Sequence, residues 1–178
     1  MDKNLVYAIS VIVCALLQLA IAPAVALFGA TPNFLIIPVL FIALRSGAVA
    51  ASVAGFALGL LYDFAGDGVI GAMALAFVLT GLAAGLLGAN MEVGPMMAAV
   101  LGIVFSVVAA LVFGLATALG SSAAGSVMGV LASYSLPCGV YTAVFAALGL
   151  ATMTMVTPAE SPRMSGGLGL GGRGGFLG

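Results

Sequence analysis

The chain has 178 residues, of which 64% are hydrophobic and 5% charged, and a mean hydropathy of +1.37. A soluble domain carries about a quarter charged residues, so this one cannot cover a water-facing surface. Its formal net charge is -1 with four Lys plus Arg, which argues against a nucleic-acid surface. It has no His and two cysteines, Cys14 and Cys138, far apart in apolar text, which argues against a protein-built zinc site. The class is an integral membrane protein: an all-α, polytopic helical bundle of about six transmembrane helices. Residues 1–157 form the transmembrane domain, and 158–178 a disordered Gly/Arg/Pro tail.

Residues 5–28 are too long an apolar run for a usual signal peptide and read as a retained first span. Gln18, near its middle, should point at protein rather than lipid, and Pro23 should kink or end the last turns. Residues 33–44, interrupted by Pro38, rise only roughly 18 Å against a hydrocarbon core of roughly 30 Å. Arg45, Ser46 and Gly47 follow, then a second short stretch, 48–62. Two arrangements compete: a hairpin turning at Arg45, or one tilted helix over 33–62 with a buried arginine. The hairpin gives six spans, with Lys3, Arg45, Arg163 and Arg173 on the inner side and Asp63 and Asp67 outside, as the positive-inside tendency requires. A single helix would hold Arg45 deep in lipid, at a cost of at least about 2.5 kcal/mol. The charges favour the hairpin. A broken hairpin is stable only where protein covers its exposed backbone.

Small residues at every fourth position, Gly47, Ala51, Gly55 and Gly59, share one helix face that admits a neighbouring backbone. Asp63 continues the spacing. Residues 69–87 form the fourth span, with small contacts at Gly71, Gly81, Gly85 and Gly88. Residues 96–119 form the fifth, where Ala98, Gly102, Ser106, Ala110, Gly114 and Ala118 make a second seam. Residues 120–135 are ambiguous: they extend the fifth helix, lie at the outer surface, or re-enter. The sixth span, 136–156, opens near Pro137, where a missing donor costs least. Its threonines, with Thr157 just beyond, can return hydrogen bonds to their own helix.

Catalytic parts are lacking. No His is available as a base, and no Lys lies within a span. Asp63 and Asp67 sit four apart and could pair for acid–base work, but Gly66 and Gly68 end the helix there. A cap, turn or topology role is favoured, with a partner contact next. The C-terminal glycines lack the strand–turn–helix context of a phosphate loop. No catalytic, metal-binding or cofactor-binding residue is assigned.

The Pro32-Asn33-Phe34 segment, Leu44-Arg45-Ser46-Gly47, Gly55-Phe56, Gly59-Leu60, Asp63, Gly66, Gly71 and Leu75 together resemble the rod shape-determining protein MreD family. The close match covers about a quarter of the chain. The resemblance implies a non-catalytic adaptor of the bacterial inner membrane, multi-pass with both termini cytoplasmic, that helps organise lateral peptidoglycan synthesis. It implies as partners MreC, RodA with a class B penicillin-binding protein, the MreB filament, and membrane lipid. Asp63 would then be a helix-end contact near the extracytoplasmic face, and Arg45 an inner-face anchor. The glycine-rich tail and residues 120–135 depart from the family's pattern. The layout also resembles the S component of energy-coupling-factor vitamin transporters. In that alternative the outer helix ends would enclose a small ligand.

Overall fold

The computed structural model describes residues 3–26, 31–66, 69–89, 91, 93–120 and 127–157. The expected tail, 158–178, lies outside them, as does Asp67. The regular elements described are all helical. Helix α1 (Lys3–Leu16) runs into a π-helical stretch, Leu17–Ile21. Helices α2 (Ile36–Ala65), α3 (Ala72–Gly88) and α4 (Pro95–Gly120) follow. A short α5 (Val127–Val130) and a second π-helical stretch, Leu131–Ser135, then lead directly into α6 (Leu136–Val156). Helices satisfy their backbone internally, which lipid as a solvent demands. Three helical segments are long and apolar enough to cross a membrane: Ile36–Ala65, Pro95–Gly120 and Val127–Val156. Leu5–Ile21 and Ala72–Gly88 are apolar but shorter.

The longest helix is not straight. At Gly47 the backbone adopts φ 85°, ψ -179°, a conformation open essentially only to glycine. The contacts of α3 fix the direction of the two arms. The second arm runs antiparallel to α3, since Ala48 lies against Gly85, Ala51 against Gly81, Gly55 against Phe77, and Gly59 against Ala74. The first arm runs the other way, with Asn33, just before it, at Met73 and Leu44 at Gly88. The chain therefore doubles back at Gly47. Gly47 is the bend itself, and its backbone borders the seam, since a Cβ on Gly85 would stand 2.9 Å from the Gly47 carbonyl carbon. One expectation needs correcting. Pro38 does not interrupt the helix but sits in the first turn of α2, where a backbone N–H has no intrahelical acceptor to lose.

The first arm, residues 36–46, rises roughly 16 Å and is the centre of the bundle. Every residue from Pro32 to Ala43 is buried, and Val39 has no exposed surface. Ile37 packs against Gly149 of α6, and Phe41 meets Tyr7 of α1 edge-on at 5.7 Å. A helix that is apolar on all sides belongs in a core, and protein here covers the short, bent backbone that lipid could not.

The second seam joins α4 to α6. Ala98, Gly102, Ser106, Gly114 and Ala118 are buried, and Ala110 is half-buried. A Cβ on Gly102 would meet the Ala146 carbonyl oxygen at 3.0 Å, and one on Gly139 of α6 would meet the Ala110 Cβ at 3.0 Å. The span that begins α6 is longer than its sequence suggests: residues 127–135 are helical and continuous with it, whereas 121–126 lie outside the described residues.

These contacts separate two kinds of glycine. A Cβ on Gly55 would stand 2.7 Å from the Phe77 carbonyl oxygen, and one on Gly59 would overlap the backbone of Met73 and Ala74. No rotamer can relieve a clash with backbone. Gly59→Leu and Gly55→Leu are expected to lose at least the roughly 1–3 kcal/mol typical of overpacking and to aggregate in size-exclusion chromatography. Gly94→Leu, at a site with nothing within 4 Å, should elute and melt as the parent. Gly47→Ala should lose about 1–3 kcal/mol from backbone strain alone, read as a lower melting temperature without any steric contact.

Candidate functional site

The bend and the seam bring the motif residues to the two ends of the bundle. At one end, three side chains complete the start of α2. The chain enters it at Asn33, where the first backbone donors have no helical acceptor. The Asn33 N–H donates to Thr142 Oγ1 at 3.0 Å, the Phe34 N–H to Gln18 Oε1 at 2.8 Å, and the Leu35 N–H to Asn33 Oδ1 at 3.1 Å. Gln18 does face protein, from within the π-helical stretch that follows α1. Thr142 and the self-capping of Asn33 were not singled out from sequence. The signal available for Asn33 was its place just before an apolar run, as an Asx cap.

Asp63 performs the same task for α3 at the same end. It is 4% exposed. Its Oδ2 accepts the N–H of Gly71 at 2.9 Å and of Ala74 at 3.2 Å, and its Oδ1 accepts that of Met73 at 3.1 Å. A carboxylate on helix-start amides is favoured by charge-assisted hydrogen bonding and by the helix dipole. Gly71 makes the geometry possible: its φ of 94° turns the chain so that its own amide and those of the next helix converge on one side chain. Asn33 Nδ2 contacts Met73 Sδ at 3.5 Å, so the starts of α2 and α3 meet.

Arg45 lies at the opposite end, half-buried beside the bend. Its guanidinium donates to the Thr157 carbonyl oxygen at the end of α6 and lies over the Phe41 ring at 5.6 Å. A cation at a helix C-terminus complements its dipole. The neighbouring Ser46 Oγ donates to Tyr7 Oη at 2.9 Å. The first turns of α1, the bend of α2 and the last turn of α6 thus gather at this end, with Asp63 at the other.

A cavity of about 20 Å³ lies between α2, α4 and the Leu131–Ser135 stretch, bordered by Asn33, Tyr62, Ser106, Ser135 and Thr142 among others. Small-molecule sites occupy about 300–1,000 Å³, so this cavity is too small for a vitamin. Among the described residues no group of three or more His, Cys, Asp or Glu could hold a metal ion. Cys14 and Cys138 are free, and the Cys138 thiol donates to the Thr31 carbonyl oxygen at 2.8 Å.

Removing the Asp63 side chain would strand three N–H groups in a buried site. Each such loss costs about 1–3 kcal/mol, so Asp63→Ala should unfold or severely destabilise the protein in a thermal melt. Asp63→Asn keeps one carbonyl acceptor and should lose an intermediate amount. Gln18→Leu strands only the Phe34 N–H and should cost about 1–3 kcal/mol.

No curated protein and no solved structure matches the chain. A family description does, over nearly the whole length. The matched stretch contains the helix starts, the bend and the seam just described. Its match runs through residues 2–155, and the chain belongs to that family, rod shape-determining protein MreD.

Proposed function

We propose that the chain works as an adaptor of the cell-elongation machinery, binding MreC and, with it, RodA, a class B penicillin-binding protein and MreB. Membership in the MreD family makes it a non-catalytic, multi-pass component of the inner membrane. The finer reading rests on one observation. Between α2, α4 and the Leu131–Ser135 stretch, the described residues leave a cavity of only about 20 Å³, while the outside is broadly apolar. Leu5, Ile12, Leu16 and Leu19 of the α1 segment, Val49, Val53 and Phe64 of α2 and Leu148 of α6 are all exposed. What such a protein offers its surroundings is surface for lipid and for neighbouring helices. The α2–α3 seam gives that surface a fixed shape.

In this reading six helical rods cross the bilayer, counting the two arms of α2 separately. The end that holds Arg45 is cytoplasmic, and so are both termini. The supporting observations are the Tyr7–Ser46 and Arg45–Thr157 contacts at one end, the Asp63 carboxylate at the other, and the positive-inside tendency. Asp63 and Arg45 then secure the outer and inner ends respectively, and the helix-packing residues Ala51, Gly55, Gly59, Gly102, Ser106, Ala110 and Gly114 set the surface that partners meet.

Two measurements check this reading. Tagged protein purified from native membrane should bring down MreC and the wall-synthesis enzymes; recovery with ATPase subunits or a bound vitamin would instead support the transporter alternative. Single cysteines at positions 46 and 66, in a background with Cys14 and Cys138 replaced, should label from opposite sides of the membrane. Labelling from one side would overturn the proposed topology.

A further inference from the structure

We propose that the groove between α1 and α6, at the end of the bundle that holds Arg45, binds one anionic phospholipid, with an acyl chain along the groove and the phosphate at the Arg45 guanidinium. The groove holds about 180 Å³ and is bordered by Val6 of α1 and by Thr152, Met153, Val156 and Thr157. Helices α1 and α6 both lean on the first arm of α2, through Tyr7 on Phe41 and Gly149 on Ile37. The groove is the gap left between them.

The cation beside this gap has no counter-ion among the described residues. Arg45 donates to the carbonyl oxygen of Thr157, itself a groove residue, and its guanidinium lies over the Phe41 ring. Neither partner carries a formal charge. Among the described residues the one carboxylate is Asp63, which sits at the opposite end and is committed to amides at the start of α3. A guanidinium carries several N–H donors in a planar fork that matches phosphate, and the bond to Thr157 uses only part of it. The start of α1 lies at this end too, and its dipole offsets that of the α6 C-terminus. The arginine's charge therefore stands uncompensated.

The groove itself asks for an apolar guest. The Thr152 hydroxyl is shared between the Leu148 and Gly149 carbonyl oxygens, and the Thr157 hydroxyl donates to that of Met153. No groove hydroxyl keeps a proton for a polar ligand. From Thr157 back to Thr152 the chain runs roughly 7 Å along the helix axis, with Arg45 at the Thr157 end. Charge at the membrane face with an apolar wall leading inward is the polarity of a lipid. Free phosphate would meet the arginine and leave the groove empty. A zwitterionic lipid would fill the groove but bring its own cation to the arginine. An anionic phospholipid answers both, and basic side chains near a membrane surface attract such lipids. The site requires only that this end lies at a membrane face, so it is independent of the partners and the sidedness proposed above.

Native mass spectrometry of the full chain in a nonionic detergent tests the site. The protein should hold one phosphatidylglycerol at concentrations where neither phosphatidylcholine with the same chains nor inorganic phosphate binds. Arg45→Gln should weaken phosphatidylglycerol binding at least about fivefold, the equivalent of about 1 kcal/mol for one basic residue at an anionic surface, and bring it level with phosphatidylcholine. Thr152→Trp, at an exposed position that keeps the arginine, should block the groove and release the lipid while eluting as the parent in size-exclusion chromatography. Equal affinity for the two lipids in the parent, a preference that survives Arg45→Gln, or inorganic phosphate bound as tightly as the lipid would overturn the proposal. If Arg45→Gln does not fold, Thr152→Trp decides: phosphatidylglycerol still held by that folded variant overturns it as well.

Discussion

The contact on which this structure depends is the backbone-to-backbone approach of α2 and α3. In lipid the hydrophobic effect does not choose which helices become neighbours, because acyl chains are as apolar as the side chains they would replace. Selection falls to close packing, and here it is reciprocal. Gly55 and Gly59 of α2 admit the backbone of α3 at Phe77 and Ala74, while Gly81 and Gly85 of α3 admit that of α2 at Ala51 and Ala48. The register of this ladder decides what comes next along it. One further turn beyond Gly59 puts Asp63 against the first amides of α3. The cap is a product of the seam, and a shift of one residue along it would abolish both.

The first arm of α2 depends on that pairing in turn. It is short, bent away from its continuation, and buried throughout. Its N-terminal donors are met by Gln18, Asn33 and Thr142, so three separate parts of the chain converge on one helix start. The arm has no small-residue stripe of its own. It is instead the filling around which α1, α3 and α6 are arranged, with Gly149 giving way to Ile37.

Much of this was legible from residue spacing, and the failures have specific causes. The seam glycines fell at every fourth position, which is the period of a helix face, and the lone Arg45 between two apolar stretches marked a turn. Gly47 shares that spacing and its backbone does border the seam, but spacing alone does not show that the same residue also takes φ of 85°. Pro38 reads as an interruption because its distance from the true helix start is not visible in sequence; two residues further along the helix a proline would remove an intrahelical hydrogen bond. Residues 120–135 mix Gly and Ser with scattered apolar residues, and no period distinguishes helix from loop there. The central role of residues 34–43 had a signal in the unbroken run of large apolar side chains, which an amphipathic reading does not weigh.

The bend at Gly47 bears on how the protein reaches its membrane. A rod of roughly 16 Å is shorter than a hydrocarbon core of roughly 30 Å, so the first arm depends on its protein neighbours rather than on lipid for cover. The two arms meet one helix, α3, on either side of the bend, so the first arm gains its full cover only once α3 is in place. Biogenesis of this chain is thereby tied to the synthesis of residues well beyond the segment being inserted.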